Sequence, residues 1–156
     1  MKETSTSVWS FQMIIIFMLI FAGFLALVLT YSKAFAIKNR FLSIIEKYDG
    51  ITTESLDIMN NYARNNSYKA LAQCSTREGV TVYGVLIHDD IVEVAKPNEK
   101  YNYCFTIRTD HRGLTYYDLE VFYKFNLPFF QSLGLYRIEG HTSSFNPSNE
   151  IIQKEE

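Results

Sequence analysis

The most continuous hydrophobic pattern in the chain is an apolar run from Phe11 to Leu29, which reads FQMIIIFMLIFAGFLALVL. Its 19 residues carry no charge, and Gln12 is its one strongly polar side chain. A bilayer whose hydrocarbon core is about 30 Å thick needs about 20 such residues in a helix. We therefore predict a transmembrane helix over residues 11–31, with Trp9 and Tyr31 at the two interfaces, where aromatic side chains concentrate.

The flank before this run, residues 1–10, bears on whether the run is a retained anchor or a cleaved secretory signal. Signal sequences have a basic flank and an apolar region of about 7 to 15 residues. Here the apolar region is longer, and the flank MKETSTSVWS carries one lysine, Lys2, offset by Glu3. The triplet Ala34-Phe35-Ala36 could serve as a small-residue cleavage site. The length of the run nevertheless favours a retained anchor.

After the membrane run, apolar positions keep a helical spacing while charged residues appear between them. Steps of three and four residues are typical of one helix face, and they connect a stripe formed by Ala34, Ile37, Phe41, Ile44, Ile45 and Tyr48. No proline or glycine occurs between Phe24 and Asp49. We therefore predict that the membrane helix continues without a break as far as Gly50, which can provide a left-handed cap.

The remaining pattern predicts a second, short helix and then a sheet. This helix starts at Thr52 or Thr53, whose side chains can cap its first amides, and it closes an amphipathic helical region over residues 32–68. From Leu71 the hydrophobic period changes to two, which predicts strands over 79–87 (with a continuation over 91–95), 101–109, 114–127 and 136–144. They form a β domain over residues 69–145, and the tail, 146–156, lacks periodicity and is predicted to be flexible.

Alternation along the strands assigns residues to the two faces of the sheet. In YNYCFTIRT, Tyr101, Tyr103, Phe105 and Ile107 fall on one face. In the strand that ends at Pro128, the odd positions are apolar and the even positions include charged residues. One face should therefore be covered and the other exposed to water. We predict an α+β fold in which an N-terminal transmembrane helix continues into a long amphipathic helix, followed by a second short helix and a small antiparallel sheet packed on the helix.

The composition of the chain argues against several classes of function. The chain has 156 residues and a net charge of −2 with both signs interspersed, so it offers one small domain plus an anchor and no basic field for nucleic acid. It contains no glycine-rich phosphate loop and no serine in a nucleophile elbow. His88, Asp89 and Asp90, like Asp110 and His111, fall in predicted turns, where polar residues are common. We predict a protein that is not an enzyme and that holds neither a metal nor a cofactor.

The chain contains two cysteines, Cys74 and Cys104, and both lie in the predicted β domain. An oxidising compartment would favour a disulfide between them, whereas in the cytosol they would remain unpaired thiols. A bond that closes a loop of about 30 residues stabilises a domain by about 3 to 4 kcal/mol in the chain-entropy model. Because a small domain benefits from such a link, we predict the disulfide.

A disulfide would indicate that the C-terminal domain lies outside the cytoplasm. The charges around the membrane run favour the opposite orientation. Lys33, Lys38, Arg40 and Lys47 follow the run, whereas Lys2 alone precedes it. By the positive-inside rule this bias places the C-terminal domain in the cytoplasm. The two indications conflict, and both orientations remain open at this point.

Three stretches resemble a known group of proteins: FAIKNRFLSIIEKYDGIT, LEVFYKFNLPFF and YRIEGHTSSF. In this order they resemble the pilin-like proteins of type IV pilus and tight-adherence systems, in particular TadE-like minor pilins or pseudopilins. No residue of MKETSTSVWSFQM matches the processing site or the conserved glutamate of that group.

The resemblance implies a non-enzymatic structural subunit in the cell membrane, with a single membrane pass and an extracytoplasmic C-terminal domain. Its partners would be membrane lipid and other pilin-like subunits in an oligomeric assembly, and not nucleic acid. Helix packing and assembly would involve Gln12 and the stripe from Ala34 to Tyr48. The alternative is a bitopic accessory or regulatory subunit of a membrane protein complex, with its domain in the cytoplasm.

Overall fold

A computed structural model describes residues 2–76, 79–124 and 134–146, with side chains from residue 8 onward. The elements are α1 (Lys2–Lys47), α2 (Thr53–Asn65), β1 (Val82–Leu86), β2 (Ile91–Val94), β3 (Tyr103–Thr109), β4 (Thr115–Lys124) and β5 (Leu135–His141). The strands form one sheet in the order β2-β1-β3-β4-β5, and every neighbouring pair is antiparallel. The predicted α+β fold is confirmed.

Helix α1 is continuous from the apolar run into the domain, as the uninterrupted sequence predicts. At its end, Asp49 and Gly50 both adopt positive φ angles, 51° and 139°. The Gly50 N–H donates to the carbonyl of Ile45 at 2.9 Å, which satisfies one of the last free carbonyls of the helix. The chain therefore leaves α1 through a left-handed turn that favours glycine.

Helix α2 begins where the threonine pair predicts. Thr52 is the N-cap: its hydroxyl accepts from the Ser55 N–H at 3.1 Å, and the Ser55 hydroxyl accepts from the Thr52 N–H at 2.8 Å. This reciprocal pair satisfies two amides that lack helical partners. Apolar residues of α2, Leu56, Met59 and Ala63, are buried in the same core as the stripe of α1.

The main core lies between the helices and one face of the sheet, which we call the inner face. Its largest fully buried side chains include Phe41 and Ile45 of α1 and Tyr103 and Tyr117 of the sheet. The rings of Phe41 and Tyr103 are 4.8 Å apart. Helix α1 also lies close to β5 at Gly140. A Cβ atom added at this glycine would lie 2.9 Å from the Leu42 side chain. The glycine thus allows the helix to lie against the strand.

The outer face of the sheet is partly covered, so the prediction that it is exposed to water is wrong. A second buried cluster lies on this face and consists of Ala72, Val82, Tyr101, Cys104 and Phe122. Its cover includes the chain after α2, since Ala72 pairs with Tyr101 through two backbone hydrogen bonds. The domain therefore has a large core on the inner face and a small one on the outer face.

Tyr101 and Tyr103 belong to different cores, which corrects the prediction that they share a face. The chain bends at Asn102, whose N–H donates to the Val85 carbonyl at 2.9 Å and whose side-chain oxygen accepts from the Ile87 N–H at 2.9 Å. The Tyr101 ring then lies directly over Gly84, where a Cβ would come within 2.3 Å of ring atoms. Any larger residue at position 84 would displace this ring.

A buried tyrosine joins the end of α2 to the sheet. The Tyr68 hydroxyl accepts from the Phe122 N–H at 2.9 Å and lies 2.7 Å from the Asn102 carbonyl and 2.8 Å from that of Phe122. It thus bridges β4 and the bend before β3. Burial raises the pKa of Tyr68 above its usual value, so its hydroxyl keeps the proton that this bridge uses.

The structure changes one strand assignment and leaves another untested. Residues 91–95 do not continue the preceding strand; β2 turns back and pairs with β1, with Val85 opposite Val92. Strand β4 is described as far as Lys124. The predicted strand end at Pro128 and the predicted tail beyond residue 146 lie outside the described residues.

We predict that Phe41→Ala destabilises the domain far more than Phe35→Ala. Phe41 is fully buried, whereas Phe35, on the same helix, is 41% exposed. Removal of a buried phenylalanine ring costs about 3–5 kcal/mol, and an exposed substitution costs about 0.5 kcal/mol or less. The free energies of unfolding can be measured by near-ultraviolet circular dichroism on the full chain in detergent. Equal losses in the two variants would contradict the packing of α1 on the sheet.

Candidate functional site

The most distinctive surface of the protein is the first half of α1. Its large apolar side chains from Val8 to Leu29 are all at least 43% exposed. The most apolar window of this helix has a mean hydropathy of 2.9, and none of it is buried within the protein. Among the described residues, α1 is the one helix long and apolar enough to cross a membrane. An exposed apolar surface of this extent marks a site of interaction with a membrane or with another protein.

The length of this surface matches a bilayer. Trp9 and Tyr31 are separated by 22 residues, which corresponds to about 33 Å along a helix. This is close to the hydrocarbon thickness of about 30 Å. Within the helix, the Thr30 hydroxyl donates to the Ala26 carbonyl at 2.9 Å and therefore needs no partner outside the helix.

The exposed half of α1 meets the sheet domain at a row of tyrosines. The Tyr31 ring lies edge-on to Tyr123 of β4, with 6.0 Å between the centroids. Tyr123 in turn stacks on Tyr136 of β5 at 5.3 Å. The sequence separates these rings by up to 105 positions. The pairing of β4 with β5 brings Tyr123 and Tyr136 together, and the packing of α1 on β4 brings Tyr31 to Tyr123. Sequence analysis identified Tyr31 alone.

Most residues of the predicted stripe are buried in the chain's own domain. Ala34, Ile37, Phe41, Ile44 and Ile45 have at most 4% of their surface exposed, and the last four belong to the core that includes the inner face of the sheet. Tyr48, at the end of the stripe, is half-buried against the same core. Gln12 lies far from them on the exposed half of the helix. The predicted set therefore divides into a packing part and an exposed part.

The cysteines form the predicted bond. Cys74 and Cys104 are joined by a disulfide, with their Cα atoms 5.8 Å apart. Cys104 is fully buried in the cluster on the outer face. The disulfide therefore ties the segment after α2 to β3 and holds part of the cover of the outer face in place.

A cavity of about 320 Å³ lies beside the outer face, and three of the charged residues that line it, Arg108, Asp118 and Glu120, form ion pairs. Arg108 pairs with Asp118 at 2.7 Å, and Arg137 lies 3.5 Å from Glu120. Ser75 donates to Glu120 through both its hydroxyl and its N–H. These contacts connect the chain after α2 with β3, β4 and β5, and they account for the polar character of the cavity.

The acidic and histidine residues weighed as ligands lie in turns, as predicted. Asp90 accepts from the Asn60 amide at 2.8 Å and the Arg64 guanidinium at 2.6 Å. The hydrogen bond from Arg64 is the main cause that holds the pKa of this carboxyl below its usual value. Asp110 accepts from the N–H groups of Arg112 and Leu114 in its own turn. Within the described ranges, no three potential ligands come together as a metal ion would require.

Comparisons with protein-family models, with curated proteins and with solved structures found no match. The exposed helix, its row of tyrosines and the disulfide-linked domain therefore carry the functional argument.

Proposed function

We propose that this protein is a non-enzymatic structural subunit that is anchored by a single membrane pass and resembles pilin-like subunits of a pilus or secretion assembly. One observation carries the proposal: a single helix exposes apolar side chains on every side over its first half and buries one apolar stripe of its second half in the domain core. Such a helix transmits position and force from the membrane to the domain without a hinge.

Assembly would take place through the exposed half of α1. In a bilayer there is no hydrophobic drive between helices, so association relies on close packing and on polar contacts between them. Gln12 can supply such a contact, since its side chain is exposed on the helix near the membrane interface. The partners are other subunits of this kind, with lipid around the remaining surface of the helix.

The disulfide supports an extracytoplasmic domain, because such bonds persist in oxidising compartments. Most of the cations that follow the membrane run also have contacts within the domain. The Lys38 ammonium lies 4.4 Å from the centre of the Phe35 ring, Arg40 lies 5.9 Å from that of Tyr62, and Lys47 lies 5.5 Å from that of Tyr48. Cation–π contacts give these side chains a structural role, which weakens their value as a signal of orientation.

The second candidate is a bitopic accessory subunit of a membrane complex, with its domain in the cytoplasm. It is favoured by the excess of lysine and arginine after the membrane run. The two candidates place the domain on opposite sides of the membrane, so orientation separates them.

We predict that a cysteine introduced at Ser43 reacts in intact cells with a membrane-impermeant maleimide. Ser43 is exposed on the domain half of α1, and the native cysteines are already joined. The matched control is Ser5→Cys on the other side of the membrane run, which should react only after lysis. The unmodified chain should not react in either case. Reaction of Ser5→Cys in intact cells and of Ser43→Cys only after lysis would establish the second candidate.

We also predict that neighbouring α1 helices can be cross-linked within the membrane. Single cysteines at Met18, Leu19, Ile20 and Phe21 sample all sides of the exposed helix. If the helix packs in a defined assembly, oxidation of native membranes should give disulfide-linked dimers at one or two of these positions and little at the others. Equal yields at all four positions would indicate random collision, and no dimer at any position would contradict assembly through this helix.

A further inference from the structure

A concave surface lies at the end of the domain where α1 emerges from the core. Its volume is about 580 Å³, and it is bounded by α1, by the chain after α2 and by the adjacent ends of β4 and β5. The residues that give it its chemistry are Thr30, Lys33, Lys69, Leu71, Lys124 and Leu135. We call it the junction cavity.

The charged side chains that line the junction cavity are all lysines. Lys33 comes from α1, Lys69 from the segment after α2 and Lys124 from the end of β4, and each is exposed. No acidic residue is among the described residues of its lining. Three separate elements thus bring positive charge to one concavity, which fits an anionic ligand.

Part of the wall of the junction cavity is apolar. Leu71 and Leu135 are each 47% exposed, as is Tyr136, the neighbour of Leu135. Through Tyr136 and Tyr123 this apolar surface is continuous with Tyr31 on α1. A ligand that combines an anionic group with hydrocarbon would satisfy both parts of the surface at once.

The position of the cavity relative to the apolar run indicates which of these ligands it can bind. Lys33 follows the last residue of the apolar run, Leu29, by four positions, which is about 6 Å along the helix. In a bilayer that contains the apolar run, this depth corresponds to the lipid headgroups, where tyrosine and lysine side chains are enriched. A phosphate at this depth lies beside the lysines, and its acyl chains extend along the exposed surface of α1.

From these observations we infer that the junction cavity binds the headgroup of an anionic phospholipid in the leaflet from which α1 emerges. The inference rests on the membrane anchoring in the proposed function, and it holds for either orientation of the domain. A bound lipid of this kind ties the ends of β4 and β5 to the membrane surface. It therefore gives the domain a second point of attachment beside the helix.

The test measures lipid selectivity by tryptophan quenching in the full chain. Trp9 is the only tryptophan, so a Trp9→Phe, Tyr136→Trp chain reports on the lipid next to the cavity. It is reconstituted into phosphatidylcholine vesicles that contain phosphatidylglycerol, with one lipid or the other brominated near the headgroup end of its acyl chains. A lysine near an anionic lipid surface contributes about a fivefold preference, so we expect phosphatidylglycerol to be preferred by at least about fivefold.

Two charge-matched variants locate this preference. Lys33→Gln, Lys69→Gln and Lys124→Gln together should reduce it to about onefold to twofold. Lys47→Gln, Lys96→Gln and Arg112→Gln remove the same charge outside the cavity and should leave the preference intact. No preference in the parent chain, or an equal reduction in both variants, would overturn the inference. Loss of the preference in millimolar inorganic phosphate at constant ionic strength would assign the cavity to free phosphate instead.

Failure of the proposed anchoring gives a different result. A chain without a membrane anchor would be removed from the vesicles by alkaline extraction, and its tryptophan would be quenched by neither brominated lipid. A chain that resists extraction and shows quenching without selectivity contradicts the lipid site alone.

Discussion

Burial of the second half of α1 against the inner face of the sheet is the interaction on which the rest of the structure depends. Ile37, Phe41, Ile44 and Ile45 of this half lie in the main core together with Tyr103 and Tyr117 of the sheet. Each Å² of apolar surface that they remove from water contributes about 25 cal/mol to stability. Because the same helix carries the exposed apolar half, this burial also fixes the direction in which that half leaves the domain. One packed helix therefore provides both core contacts and the exposed apolar surface.

Other features of the domain accommodate this helix. Gly140 lets α1 approach β5, and the turn at Gly50 redirects the chain into α2. The Glu46 carboxylate accepts hydrogen bonds from both the N–H and the hydroxyl of Ser143 at 2.8 Å. These bonds link the end of α1 to the chain after β5. On the outer face the disulfide and the small cluster hold a cover that the helix cannot reach. At the end of the domain from which α1 emerges, the row of tyrosines forms the apolar surface.

Local periodicity was sufficient to predict α1, the start of α2 and most of β4, because each depends on spacings within a few turns or along one strand. It was insufficient at Tyr101, which changes faces because the Asn102 side chain and backbone form a bend with residues distant in sequence. Local periodicity was also insufficient to predict the junction cavity. Leu71, Lys124 and Leu135 meet only after the strands pair, and alternation within one strand carries no information about which strand lies beside it.

The central claim is that α1 is one continuous, rigid helix from its exposed apolar half into the domain core. Electron paramagnetic resonance distance measurements between spin labels on Met18→Cys and Ser43→Cys, in the full chain in lipid vesicles, test it directly. The two positions are 25 residues apart and lie on the same side of the helix, so a continuous helix separates their backbones by about 38 Å. A single narrow distribution near this value is the predicted result. A broad distribution, or one centred well below it, would show a hinge and contradict the account.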